Sequence, residues 1–125
     1  MTQNEKDLLL KDLCARLLYG VKINYNDKVY NFSGIHSSNM CVLSDNEDNA
    51  FTIPGVKYIK PYLFPMSSMT EEQKEEHKDL LDNQYSFDAN GSIFTLQDFY
   101  CKYHFDYRGL IPMGLAIDAT GLNIY

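Results

Sequence analysis

The stretch Val21-Lys22-Ile23-Asn24-Tyr25-Asn26-Asp27-Lys28-Val29-Tyr30-Asn31-Phe32 decides the fold of this chain. Apolar residues alternate with polar ones up to Tyr25, which is the period of two shown by a half-buried β-strand. Asn26-Asp27 then supplies a turn, and apolar residues return from Val29 to Phe32. The pattern therefore predicts a β-hairpin.

Further short apolar runs follow this hairpin at Met40–Leu43, Phe51–Ile53 and Val56–Ile59. The polar turn Asp45–Asn49 and the breaker Pro54-Gly55 separate them. Around five short strands joined by tight turns favour antiparallel pairing, because parallel strands need crossovers of about a dozen residues. We expect a small, strongly bent antiparallel sheet or an SH3-like barrel, with a plain curved sheet as the main alternative.

A helix is predicted before the strands. Asn4 followed by Asp7 gives a plausible N-cap, and Gly20 supplies a stop. The apolar positions recur at helical spacing and form one stripe: Leu9, Leu10, Leu13, Cys14, Leu17 and Leu18. The polar positions are expected to face solvent: Lys6, Lys11, Asp12 and Arg16.

The chain after Phe64 is predicted to be mainly helical. Ser68 with Glu71 fits a capping box, with Thr70 as a competing cap, for a surface helix that runs to Leu81. Its apolar content is poor, so it offers few anchors to a core.

A loop or hairpin turn is expected at Asn90-Gly91, and Thr95 with Asp98 begins a second helix with an aromatic face. We therefore predict an α+β fold in a single domain, residues 1–125. A helix and a barrel-like half would occupy 1–64, and a helical half would occupy 65–125.

Composition narrows the class of partner. The chain has 125 residues and a formal charge of −6, which disfavours binding to phosphate backbones, so no nucleic-acid partner is expected. Ten Tyr and seven Phe exceed what a core of this size needs. Because Tyr is enriched at interfaces, some of these side chains are expected to face a partner.

The N-terminal residues lack the basic start and apolar core of a signal peptide, and no apolar run approaches the roughly 20 residues that span a bilayer. A cytoplasmic protein without membrane contact is expected. The cysteines Cys14, Cys41 and Cys101 are odd in number and far apart, which favours reduced, mostly buried thiols over a disulfide framework.

One segment near the C-terminus combines aromatic, charged and glycine residues: His104-Phe105-Asp106-Tyr107-Arg108-Gly109-Leu110-Ile111-Pro112-Met113-Gly114-Leu115-Ala116-Ile117-Asp118-Ala119. Together with Leu13–Arg16 and Lys60–Glu72, this signature segment resembles a family of small proteins carried by phages, prophages and mobile elements of gut Bacteroidales. The resemblance implies an accessory protein of a phage or mobile element. It carries over no functional residue.

Catalytic and metal-binding patterns are incomplete. If the helix that begins at Thr95 continues to His104, Cys101 and His104 share one face at i and i+3 and could form half a zinc site or a thiol–imidazole pair. A buried thiol beside an exposed His is the simpler interpretation. Asp45–Asn49 resembles a calcium loop but has Ala50 and Val56 where Gly and Glu are needed, which predicts a hairpin tip. No catalytic residue, metal or cofactor is expected.

Asp106 and Arg108 flank Tyr107 and allow two interpretations. They could bind a phosphate or guanidine-like group of a ligand. They could instead lock the turn by pairing with each other or with the backbone, and this structural role is favoured.

Three functions are compatible with these residues. The first is a non-enzymatic protein that binds a host protein, with countering a host defence as one role, and with the aromatic patch Tyr103, Phe105, Asp106, Tyr107 and Arg108 as its contact. The second is binding of a small nucleotide-like ligand, which stacking aromatic side chains, Arg108 and Lys60 would hold. An enzyme that uses Cys101 and His104 ranks last, and self-association is left open.

Overall fold

The computed structural model describes residues 1–37 and 40–125. The helices are α1 (Gln3–Ala15), α2 (Glu71–Asn83) and α3 (Leu96–Lys102). The strands are β1 (Lys22–Tyr25), β2 (Lys28–His36), β3 (Met40–Ser44), β4 (Ala50–Ile53), β5 (Ile59–Leu63), β6 (Tyr85–Phe87), β7 (Ile93–Thr95) and β8 (Ile117–Asp118).

Helix α1 begins earlier and ends earlier than the sequence predicts. The Glu5 N–H donates to Thr2 Oγ1 at 3.1 Å and the Thr2 N–H donates to Glu5 Oε1 at 2.8 Å, so Thr2 is the N-cap and not Asn4. This reciprocal pair satisfies two helix-end donors, which a cap at Asn4 would not do. The helix stops at Ala15, and Gly20 has a left-handed φ of +80°.

The predicted hairpin forms as β1 and β2, with Tyr25 opposite Lys28. Asn26 and Asp27 both adopt left-handed backbone, with φ of 51° and 62°, as a two-residue turn that matches the strand twist requires. The polar segment 45–49 is the turn between β3 and β4, as predicted, and Asp45 Oδ1 accepts from the Glu47 and Asn49 N–H groups.

One six-stranded sheet has the order β4-β3-β2-β1-β5-β8. All neighbours are antiparallel except β5 and β8, which pair in parallel. The predicted α+β class and antiparallel sheet are confirmed. The ends of this order, β4 and β8, do not pair with each other, so the sheet is open and a closed SH3-like barrel is not confirmed.

The second half of the chain adds two helices and a small separate hairpin. Thr70, the competing cap, begins α2 through a capping box with Gln73, and Thr95 begins α3 with Asp98 as predicted. Strands β6 and β7 pair with each other alone. Among the described residues, no helix has both the length and the apolar content needed to cross a bilayer.

Buried side chains form two clusters. The first joins α1, the sheet and the segment 110–116, and the second joins α2, β7 and α3 to Phe105. The N-terminal helix and the sheet therefore share one core, whereas the second and third helices pack around aromatic side chains: Leu80, Phe94, Phe99 and Phe105.

The first cluster should dominate stability. Leu43 on β3 is 0% exposed, so Leu43→Ala should lower the free energy of unfolding by about 2–5 kcal/mol through lost burial and a residual cavity. Leu18→Ala makes the same chemical change at a side chain that is 84% exposed and should leave stability nearly unchanged. Urea denaturation of both variants checks this, and equal effects would contradict the assignment of the core.

Candidate functional site

A buried ion-pair network connects α1 to the signature segment. Arg16 Nε donates to Asp12 Oδ2 at 2.8 Å, and Arg108 Nε donates to Asp12 Oδ1 at 3.1 Å. Arg16 Nη2 also donates to the Phe105 carbonyl at 2.7 Å. Asp12 and Arg16 are both 0% exposed, so the prediction that they face solvent is wrong.

The network holds two guanidinium groups against one carboxylate. Arg16 Nη1 is buried and has no hydrogen-bond partner within the described part of the chain. The ring of Tyr107 lies 5.3 Å from the Arg16 guanidinium and 4.9 Å from that of Arg108, so its face compensates part of the lost hydration. Since Asp12 pairs with both guanidinium groups and Arg16 also binds the Phe105 carbonyl, the network is a structural staple that links α1 to the signature segment.

Asp106 holds the turn after it. Its Oδ1 accepts from the Leu110 N–H and its Oδ2 from the Ile111 N–H, each at 2.8 Å. The predicted structural role through backbone pairing is therefore what the structure shows. Asp106 and Phe105 are both buried, so the expectation that they present a surface to a partner is corrected.

The other residues of the predicted patch do not form one open surface. The Tyr103 hydroxyl donates to Glu76 Oε2 at 3.0 Å, and the ring of Tyr107 stacks on Tyr100 with centroids 5.1 Å apart. The Arg108 side chain is only 17% exposed and is held by Asp12. Lys60 is exposed, but it lies on β5 opposite Asn24.

A cleft of about 370 Å³ lies beside the end of α3. It combines aromatic walls with hydroxyl, amide and ammonium groups, and its residues come from four parts of the chain: Phe64, Ser68, Thr70, Gln73, Lys102, Tyr103, His104, Phe105, Thr120 and Gly121. Tyr103 and Phe105 of the predicted patch therefore meet here. Neither Arg108 nor Lys60 lines this cleft.

His104 forms one wall of the cleft and is not the exposed side chain that the sequence predicts. Its φ is +61°, and its ring stacks on that of Tyr125 with centroids 3.6 Å apart. Burial, together with the charges of Arg16 and Lys22, lowers the pKa of His104 to about 4. The imidazole is therefore neutral near pH 7, and its Nδ1 has no partner among the described residues.

The hydroxyl group of Tyr125 anchors the ring on which His104 stacks. This hydroxyl donates to the Tyr62 carbonyl at 2.7 Å and accepts from the Lys22 N–H at 3.0 Å. Burial raises the pKa of Tyr125 to about 12, so the phenol stays protonated and keeps its donor role.

The cysteines show no sign of an activated thiol. Burial raises the pKa of Cys101, and it raises the pKa of Cys41 to about 11, so both favour the thiol over the reactive thiolate. Within residues 1–37 and 40–125, no three His, Cys, Asp or Glu side chains come together as a metal site would require.

A cluster of exposed apolar side chains flanks Asn90-Gly91, where the sequence predicts a loop or hairpin turn. Tyr85, Phe87 and Ile93 are 49%, 64% and 63% exposed. In the register of β6 and β7, Phe87 faces Ile93 and Tyr85 faces Thr95, so these side chains share one side of the two-stranded sheet. We call Tyr85, Phe87 and Ile93 the hairpin face.

The other side of this small sheet explains why the hairpin face is left in water. Phe94 points the opposite way from Ile93, is buried, and belongs to the second core cluster. The signal in the sequence is the alternation of Tyr85 and Phe87 with the polar residues beside them. Alternation shows that one side of the hairpin is apolar, but it does not show whether another part of the chain packs against that side.

Comparison with protein-family models, with curated proteins and with solved structures finds no match to this chain. The functional interpretation therefore rests on the geometry above.

Breaking the network of Asp12, Arg16 and Arg108 should lower the stability of the fold. Asp12→Asn leaves two buried guanidinium groups without their carboxylate and should lower the free energy of unfolding by about 3–5 kcal/mol. Asp7→Asn removes an exposed carboxylate from the same helix and should cost much less. Chemical denaturation measures both, and similar small losses would show that the network contributes little.

His104 should make the protein sensitive to acid. Its pKa lies at about 4 when folded against a usual 6.5, so between these values the unfolded chain binds a proton that the folded chain does not. The free energy of unfolding should therefore fall as pH decreases through this window. His104→Asn, which tolerates left-handed backbone, should remove this part of the pH dependence.

Denaturation of wild type and His104→Asn at several pH values gives the comparison. The stability advantage of wild type over the variant should shrink as acid is added. A constant advantage would mean that His104 is not the titrating group.

Proposed function

We propose that this chain is a non-enzymatic binding protein that contacts another protein through the hairpin face. The observation that carries the proposal is the exposure of three large apolar side chains on one side of the sheet formed by β6 and β7. Apolar surface of this kind gains most when it is buried against a partner. Aromatic side chains are also the usual energetic anchors of protein interfaces.

The shape of the hairpin supports the same function. Tyr85 and Phe87 pack edge to face with ring centroids 5.7 Å apart, so part of the side-chain entropy that binding would remove is already lost. Strands β6 and β7 pair only with each other, which leaves their outer edges open to a partner's main chain.

The cellular setting is part of the proposal. We propose that the protein acts in the cytoplasm on a protein of its host. The support is the resemblance of the signature segment to phage and prophage proteins, for which countering a host defence is a natural role. An SH3-like curvature of the sheet is compatible with this function but is not needed for it, since the hairpin face lies outside the six-stranded sheet.

A second candidate function, binding of a small nucleotide-like ligand, is favoured by the cleft beside α3. Its volume of about 370 Å³ and its mixture of aromatic and polar groups suit a planar ligand with polar substituents. The stacking groups would be Phe64 and Tyr103, with Lys102 as the cation in place of Arg108 and Lys60.

The protein-binding function predicts that Phe87→Ser and Ile93→Ser abolish retention of a protein that wild type retains from host lysate. Both side chains are exposed, so the fold should keep its melting temperature. Tyr58→Ser removes an aromatic side chain of similar exposure on another surface and should retain the partner. Affinity capture with quantitative mass spectrometry measures the three variants in parallel, and equal retention by all of them would exclude the hairpin face as the contact.

The ligand-binding function predicts stabilisation by nucleotides. Thermal shift assays with a panel of linear and cyclic nucleotides should raise the melting temperature, and Thr120→Trp, which fills the cleft, should remove that rise. Thr52→Trp introduces the same side chain on exposed β4 and should leave the rise intact. A flat response of wild type across the panel would count against this function.

A further inference from the structure

Negative charge is concentrated next to the hairpin face. Residues 71–88 hold seven carboxylates and two lysines, a net charge of −5, and the whole chain carries −6. This segment is α2, β6 and the residue that opens the turn between β6 and β7. The exposed apolar side chains therefore lie in the most negative part of the molecule.

A pocket of about 210 Å³ lies where α2, the hairpin and α3 meet. Its apolar wall is formed by Phe87 and Phe94, and the carboxylate-bearing residues Glu76 and Asp88 line the same pocket. Phe87 lines this pocket and also belongs to the hairpin face, so the pocket adjoins the hairpin face.

The carboxylates of this pocket are held by their own contacts and keep free acceptor capacity. Glu76 Oε2 accepts from the Tyr103 hydroxyl, and Asp88 Oδ1 accepts from the Asn90 and Ser92 N–H groups. In the described part of the chain, Glu76 Oε1 and Asp88 Oδ2 accept no hydrogen bond. Each can therefore accept from a donor of the partner.

Lys102 is the basic side chain that lines the pocket together with Glu76 and Asp88. It lies 5.7 Å and 5.1 Å from the ring centroids of Phe94 and Tyr103. It forms no ion pair with any carboxylate of the described residues. The two acidic side chains of the pocket thus outnumber its one cation.

From this arrangement we propose that the protein partner presents a basic surface, and that an arginine or lysine side chain of the partner enters the pocket between α2 and the hairpin. The aliphatic stem of that side chain contacts the apolar lining of the pocket, and its cationic head donates to Glu76 and Asp88. The inference rests on the proposed protein-binding function, because it names the chemistry of the partner at the same surface.

Charge complementarity favours a basic protein over a second copy of the chain or a nucleic acid at this surface. A second copy of the chain would place two segments of net charge −5 against each other, and a nucleic acid would bring phosphates to the same carboxylates. A basic, partly apolar protein surface gains from both the hairpin face and its acidic surroundings.

The first experiment uses a defined probe and needs no knowledge of the partner. The full ¹⁵N-labelled protein is titrated with acetyl-arginine amide and, separately, with acetyl-citrulline amide, which has nearly the same shape and no charge. Saturable shifts of the amide signals of Phe87–Ser92 with arginine alone are expected. Equal shifts with citrulline, shifts confined to other residues, or no shifts would overturn the inference.

Charge variants test whether the arginine probe binds through the acidic side chains of the pocket. Glu76→Gln keeps an acceptor for Tyr103 and should weaken binding of the arginine probe about threefold, whereas Glu75→Gln, which removes the same charge outside the pocket, should change it less. Lys102→Met should tighten binding, because it removes the cation that repels the probe. Unchanged or weaker binding in Lys102→Met would show that the charges of this pocket do not attract the probe and would overturn the inference.

The failure of this inference is distinguishable from failure of the proposed function. If Phe87→Ser abolishes partner capture but the arginine probe does not bind, the hairpin face remains the contact and the basic partner is excluded. If sedimentation shows a dimer of wild type that Phe87→Ser dissociates, the occupant is a second copy and the inference of a basic partner is wrong.

Discussion

The buried carboxylate of Asp12 is the interaction on which the arrangement of the chain depends. It pairs with Arg16 at the C-cap of its own helix and with Arg108 from the signature segment. Because Arg16 also donates to the Phe105 carbonyl, the end of α1 is fixed against a segment that lies far away in the sequence. A charge left alone in this interior would be strongly unfavourable, so the three side chains require one another.

Because of this network, the conspicuous residues of the signature segment have structural roles. The Phe64 N–H donates to the His104 carbonyl at 2.8 Å, and the Asp106 N–H donates to the Phe64 carbonyl at 2.9 Å, so the signature segment runs along the end of β5. Asp106 then holds the following turn through two backbone donors. These contacts pack the charged and aromatic residues of the signature segment against the core.

Local patterns were sufficient for the elements whose contacts are local. Alternation from Val21 to Phe32 and the turn at Asn26-Asp27 predicted the hairpin of β1 and β2, since both strands and their turn lie within one short segment. Strand β8 has two residues and pairs in parallel with β5, so its formation depends on the loop that brings Ile117 beside Tyr62. No local pattern carries that information.

The site was harder to predict because exposure is a property of the assembled fold. Asp12 and Arg16 have the i, i+4 spacing of an ion pair and flank Leu13 of the apolar stripe, which was the available signal for their burial. The sequence does not show that Arg108, the second cation of the network, lies close to Asp12 in the fold. In the same way, alternation in β6 identifies an apolar side of the hairpin, whereas only the packing of Phe94 shows which side stays in water.

The hairpin face has a competing explanation, which is that strands favour aromatic and β-branched side chains for their own sake. Thr95 lies opposite Tyr85 on the same side of the sheet and satisfies that preference with little apolar surface. Tyr85, Phe87 and Ile93 expose far more apolar area than the preference requires, and their outward side adds nothing to the second core cluster, which the hairpin joins through Phe94. Folding thus accounts for the inward side of the hairpin, and the outward side is the surface on which the proposed binding function rests.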